Sequence, residues 1–345
     1  MKRFFFTFLL FPLILPAQIE VKIDDFSDSY YAIVLIKEVD KGEIFKPASV
    51  HLIEARTNRE LIKIDAEEIV LELTDNSSSS LNIPYSKQSI IIYEDFNFDG
   101  VKDLALQDGQ ESCYHQSSYD IYLDKGDRLE FNESLTELAH YHCGMFQIDK
   151  ARSRLITYAK SGCCYHEKSE YILQNDKALL RYQKVEDGTA HPLAIVQEKS
   201  WVNGSWKESN TTRLIRDAGE LKIILSFKLK KNGKEVLVYS YNNAVLGYAL
   251  EKPNKELEFN FPAEKDKWSG DKHFNFTDFK DEATLNFSNA NAKYEIYQKG
   301  PDSNFEKIGI KVWVNAKEYH LEGDPESAKG SLFQLNNNLQ DNVNY

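Results

Sequence analysis

From Gln18 to about Ile215 the chain alternates apolar and polar positions in short runs: "YYAIVLIKEV", "SVHLIEA", "SIIIYE", "YDIYL", "RLITYAK", "SEYIL" and "LLRYQKVE". Turns rich in Asp, Asn, Gly and Lys separate them. Alternation with a period of two predicts strands with one buried face. Groups of about four such strands recur at roughly 40-residue spacing, the period of propeller blades; a sandwich is the competing arrangement. From Leu221 the pattern restarts in "LKIILSFKLKKNGKEVLVYSY", where "KNGK" predicts a hairpin turn at Asn232 and Gly233. Further strands are expected at "LGYALE", "LEFNF", "ATLNFS", "AKYEIYQ", "IGIKVWV" and "GSLFQL", with another hairpin at "VNAKEYHL". One short helix is expected near "ESLTELAHY", residues 133 to 141. The polar segment "EKDKWSGDKHFNFTDFKDE" reads as a long exposed loop, and the tail "NNNLQDNVNY" as frayed.

These elements predict an all-β protein in two parts: a β-propeller-like domain over residues 18–217 and an antiparallel β-sandwich or barrel over 218–345. Residues 1–17 read as a signal peptide. Lys2 and Arg3 precede an apolar stretch from Phe4 to Leu15, too short to span a bilayer, and the small Ala17 marks the cleavage point. The expected location is therefore periplasmic or secreted. Removing Lys2 and Arg3 takes the formal net charge from −12 to −14, with no basic cluster to meet a phosphate backbone. Nucleic acid is thereby disfavoured as a partner.

All four cysteines, Cys113, Cys143, Cys163 and Cys164, lie within one stretch, which in an exported protein predicts two disulfides. Three pairings are possible. Joining the adjacent Cys163 and Cys164 needs a strained small ring, so Cys113 and Cys143 are each expected to reach one of the doublet. His115, His140, His142 and His166 lie near these cysteines and make zinc or copper an alternative, disfavoured because no cysteine pair has the usual two-residue gap.

In "DFNFDGVKD" oxygen-bearing side chains fall at Asp95, Asn97, Asp99 and Asp103, with Gly100 supplying the turn and the Val101 carbonyl as a fifth donor. That spacing wraps a loop around calcium. A helix-flanked calcium hand needs Glu at the twelfth position, where Leu106 stands, and the flanks are β-patterned. The stretch resembles the calcium loops of integrin-type FG-GAP propeller repeats. A filled loop of this type is expected to act as a constitutive clip.

Residues of roughly 85 to 185, including this loop, "SYDIYL", "GMFQID" and "AKSGCCYHEKSEY", resemble a family of secreted bacterial β-propeller immunity proteins against lysozyme-like toxins, related to periplasmic lysozyme inhibitors. Those inhibitors share an SGxxY motif, matched here by Ser161, Gly162, Cys163, Cys164 and Tyr165. The resemblance implies that Ser161 and Tyr165 offer hydroxyls to the catalytic carboxylates of a hydrolase, while Gly162 lets the loop turn. Lys160 and His166 would add charge-assisted contacts.

Catalysis finds no support in motifs: there is no GxSxG elbow, HExxH or phosphate-cradling glycine loop. Pairs such as Glu67 and Glu68 point to opposite sides of a strand. The expected function is protein binding, namely inhibition of, or immunity against, a lysozyme-like peptidoglycan hydrolase. A calcium-stabilised structural or adhesive envelope module is the alternative.

Overall fold

The computed structural model describes residues 18–71, 89–216, 219–263, 268–300, 305–336 and 340–345. The expected signal peptide and the expected boundary at 217 and 218 lie outside these residues. The chain divides into two compact units, residues 1–160 with 168–183, and residues 161–167 with 184–345.

The first unit opens with an antiparallel meander of β1 (Gln18–Ile23), β2 (Tyr30–Lys37), β3 (Phe45–Glu54) and β4 (Glu60–Val70), paired in that order. A second meander follows, of β5 (Ile91–Glu94), β6 (Asp103–Gln107), β7 (Tyr119–Asp124) and β8 (Leu129–Phe131). Alternate residues of the first sheet, such as Val21, Val34, Val50 and Ile64, pack on Ile91, Leu104 and Leu106 of the second.

β6 is buried along its whole length. Leu104 and Leu106 face that first core, and Ala105 faces another, built with Ile121, Leu123 and the helix α1 (Glu133–His140). The helix starts where Asn132 accepts the Leu135 N–H through its side chain. It buries Leu135, Leu138 and Ala139, and its Thr136 hydroxyl takes the Ile121 N–H at 2.9 Å. β9 (Gln147–Asp149) pairs with β10 (Arg154–Ser161). The chain passes between the units within β10, β11 (Tyr165–Gln174) and β12 (Lys177–Asp187).

In the second unit β13 (Leu193–Val202) and β14 (Ser205–Leu214) form a long hairpin closed at Asn203 and Gly204. Two sheets then share one core. One contains β15 (Leu221–Lys228), β16 (Glu235–Tyr241), β17 (Val245–Glu251) and β18 (Leu257–Phe261). The other contains β19 (Phe274–Phe279), β20 (Glu282–Asn289), β21 (Ala292–Lys299), β22 (Lys307–Val314) and β23 (Lys317–Glu322). The short β24 (Lys329–Gly330) joins the edge of β15, and β25 (Val343–Asn344) runs parallel to β19. Their facing sides contribute Leu225, Phe227, Val236 and Leu246 from one sheet and Phe274, Leu285, Phe287 and Ile296 from the other. This is the layering of a sandwich. The expected hairpin at Asn232 and Gly233 is present, with Gly233 at φ 66° and its N–H bonded to the Leu229 carbonyl.

Three expectations for this part of the chain are corrected. "HFNFTDF", read as exposed loop, contains β19, because Phe274 and Phe276 alternate into the core; Trp268, in the same segment, is buried and donates its indole N–H to the Pro262 carbonyl. "GSLFQL" is not a strand over its length. After β24 it turns into a 3-10 helix, which places the fully buried Leu332 and Leu335 on one side, three residues apart. The tail is not frayed at residues 340–345. Val343 enters the shared core, and Asn342 is fully buried.

Candidate functional site

The loop between β5 and β6 is held by its own side chains. The Asp99 N–H donates to Asp95 Oδ1 at 3.2 Å and to Asn97 Oδ1 at 3.1 Å, the Gly100 N–H to Asp95 Oδ2 at 3.0 Å, and the Val101 N–H to Asp99 Oδ1 at 2.8 Å. Such short-range side-chain to backbone bonds are what Asp and Asn do in turns. Gly100 sits at φ 89°, a left-handed position that suits glycine.

Asp103, the first residue of the buried strand β6, is fully enclosed. Its two oxygens accept the Phe96 N–H at 2.9 Å and the Asp124 N–H at 3.0 Å. Burial pushes its carboxyl up to about 6, against the pull of those two amides, and Asp99 adds to the rise. Among the described residues, no Lys or Arg forms an ion pair with Asp95, Asp99 or Asp103.

Nor, among the described residues, do three His, Cys, Asp or Glu side chains converge into a ready metal shell, because these carboxylates are turned onto backbone amides. The chemistry of the donor set fits a hard cation all the same: three carboxylates outside any ion pair among the described residues, the Asn97 amide oxygen and the Val101 carbonyl.

The second candidate is the turn that carries Ser161, Gly162, Cys163 and Cys164 between β10 and β11. Its sulfurs correct the expected pairing. Cys113 is bonded to Cys143, and Cys163 to Cys164. The reason lies in the backbone around Cys113: its N–H donates to the His142 carbonyl at 3.2 Å, and the Ser112 hydroxyl donates to the same carbonyl, so Cys143 arrives with Cα atoms 4.7 Å apart. The doublet is left to close on itself. Bridging residues 30 apart, the first bond removes about 3–4 kcal/mol of unfolded-chain freedom, whereas the second closes no loop. With all four sulfurs oxidised, none is available as a thiolate ligand. The bonds are compatible with an oxidising, extracytoplasmic compartment.

Around the turn, Gly162 has φ 60°, and Ser161, Gly162 and Cys163 are exposed. The Cys164 carbonyl accepts the Gly188 N–H at 2.7 Å, and a side chain on residue 188 would press on the end of the Ile215 side chain and crowd that carbonyl. Tyr165 donates its hydroxyl to Glu167 Oε2 at 3.0 Å, and burial, followed by that carboxylate, raises its pKa. His166 Nε2 lies 3.3 Å from the Cys163 carbonyl. Lys160, at the end of the first unit, places its ammonium 4.8 Å from the Tyr114 ring centre. Gly188 was not legible as a partner of this turn, since only the folded strands bring it there.

Of the four histidines considered for a metal, His140, His142 and His166 are engaged elsewhere. His140 ends α1 with Nδ1 3.0 Å from Glu111 and Nε2 3.1 Å from Asp120, while His142 Nδ1 faces the Leu138 carbonyl. The hydrogen bond to Asp120, aided by the one to Glu111, raises the His140 pKa above its ordinary value. A raised folded-state pKa contributes stability that is complete below about pH 6.5 and is lost as pH rises through the folded value. His140→Ala is therefore expected to cost about 1–2 kcal/mol at acidic pH and distinctly less at alkaline pH. Urea unfolding at both pH values checks this, and equal losses would refute it.

No protein-family model matches the chain, and no curated protein does. Among solved structures, a Xanthomonas type IV secretion system related protein is similar at 21% identity and TM-score 0.41, over 55% of this chain and 92% of that one. A Pseudomonas aeruginosa periplasmic gluconolactonase aligns at 10% identity and TM-score 0.20, over 88% of each chain. A prolyl endopeptidase aligns at 8% identity and TM-score 0.23, over 86% of this chain and 41% of that one. Among the described residues no helix is long and apolar enough to cross a membrane.

Proposed function

We propose that the chain is an exported binding protein that blocks a lysozyme-like peptidoglycan hydrolase with the turn at Ser161 to His166. The observation that carries this is the state of the turn: exposed at Ser161 to Cys163, cross-linked by its own disulfide and tied to Gly188 through the Cys164 carbonyl. A segment already fixed in shape loses little freedom on binding. Tyr165 already donates to one carboxylate, Glu167, and the same hydroxyl chemistry, with Ser161 beside it, suits the paired carboxylates of a glycosidase cleft.

Lysis of cell-wall suspensions by lysozymes of several classes tests the reading. At least one class is expected to be inhibited, with Tyr165→Ala and Ser161→Ala each weakening inhibition about tenfold. Undiminished lysis by every class would remove the proposal.

The loop Asp95 to Asp103 favours a second component, a bound calcium ion acting as a clip. Asp95, Asn97, Asp99, the Val101 carbonyl and Asp103 would hold it, and calcium would neutralise three carboxylates that no Lys or Arg pairs among the described residues. The two four-stranded meanders, each ordered as its strands occur in the chain, support a propeller-like first domain with the clip between the first two strands of the second meander. If inhibition fails and the clip stands, the protein is a calcium-stabilised envelope module.

A further inference from the structure

The outward face of the second sheet of the sandwich carries a feature that hydrolase inhibition does not use. The register places Asn275 opposite Asn286, Asn286 opposite Glu295, Glu295 opposite Lys311, and Lys311 opposite His320. Parallel pairing extends the row to Asn344. Phe274 and Phe276, on either side of Asn275, point into the core, so this whole row points away from it. Six hydrogen-bonding side chains thus cross six strands in one line. With strands about 4.8 Å apart, the line is about 24 Å long.

A neighbouring row places Ser288 opposite Lys293 and Lys293 opposite Trp313, and a cleft of about 600 Å³ opens over these residues. Trp313 lines it, its indole fixed by donation to Glu318 at 3.1 Å. On the far side of the first row Tyr297 lies against Gly309, where any side chain would collide with its ring, and its hydroxyl is 2.7 Å from His320 Nε2.

The charges on this face cancel. Lys311 pairs with Glu295 at 2.7 Å, and Lys293 is matched in number by Glu318. What remains for a ligand is amide and hydroxyl chemistry. Asn275 accepts from Asn344 and Asn286 donates to Thr284, which leaves each amide with its other end unbonded among the described residues. Ser288 and Lys293 have no partner there either.

A sugar ring has a C–H face that packs on an aromatic ring and an edge of hydroxyls that donate and accept at once. Asn side chains meet such edges with a donor and an acceptor together. We propose that this face binds an uncharged polysaccharide, with its chain along the row from Asn344 to His320 and one residue packed on Trp313.

Affinity gel electrophoresis of the full chain tests this, with soluble glucan, xylan, mannan and galactan as neutral probes and polygalacturonate as an acidic one. Retardation by at least one neutral polymer is expected. Trp313→Ala and, separately, Asn286→Ala should weaken it about tenfold at unchanged melting temperature. Asn286 lies in mid-strand and supports no core contact, so its variant decides the matter if Trp313→Ala loses its fold. No retardation by any neutral polymer, retardation by polygalacturonate alone, or retardation indifferent to Asn286→Ala in a folded protein would overturn the proposal. Neither assay depends on the other: the lysis experiment reads the turn at Ser161, and the gel reads this sheet.

Discussion

Asn342→Ala is expected to lower the unfolding free energy by about 2–5 kcal/mol. The Asn342 side chain behaves as a piece of backbone: its Oδ1 accepts the Leu246 N–H at 2.7 Å, and its Nδ2 donates to the Leu246 carbonyl at 2.9 Å. Its own carbonyl accepts the N–H groups of His273 and Phe274 at the head of β19. One residue thus ties the two sheets of the sandwich together. Alanine would leave both polar groups of Leu246 buried and unpaired, each costing about 1–3 kcal/mol. All four tryptophans, Trp201, Trp206, Trp268 and Trp313, lie in the second unit, so urea unfolding followed by tryptophan emission reads this change directly. A loss below about 0.5 kcal/mol, the range of ordinary surface substitutions, would show that the pairing carries no weight.

The second large effect concerns the proposed clip. Calcium at about a hundredfold excess over its dissociation constant should raise the unfolding free energy of the first unit by about 2.7 kcal/mol. For an extracellular site of this class, with a dissociation constant of about 0.1–1 mM, that excess means about 10–100 mM calcium. Asp99→Asn removes one negative charge but keeps an oxygen for the Val101 N–H, so the loop should fold while its calcium response largely disappears. Since the first unit holds no tryptophan, thermal unfolding is best followed by far-ultraviolet circular dichroism. Identical melting curves in calcium and in chelator would eliminate the clip.

Much of the architecture was legible because strands announce themselves by alternation. Val34 and Ile36, or Leu285 and Phe287, recur at a spacing of two wherever one face of a sheet is buried. Failures occurred where composition masked that spacing. Phe274 and Phe276 stand among Lys, Asp and Asn, and Asn342 and Val343 follow an asparagine run, so buried positions read as solvent.

The candidate sites divide in the same way. The spacing from Asp95 to Asp103 and the SGxxY match are local and could be read from the chain. The alignment of Asn344, Asn275, Asn286, Glu295, Lys311 and His320 depends on the register of five strand pairs, which no local pattern specifies. The disulfide pairing was missed for a related reason. What brings Cys113 to Cys143 is a set of backbone hydrogen bonds at the helix exit, not any spacing in the sequence.

β6 has a wider consequence. A strand with one wet face can vary freely at every second residue, but Leu104, Ala105 and Leu106 alternate between two cores and never meet water. Drift in this segment is closed in both phases: a larger residue at 105 strains one core, and a smaller one at 104 or 106 hollows the other. The strand Asp103–Gln107 that closes the acidic loop thus has little room to diverge, and a homologue that keeps the fold should be recognisable there.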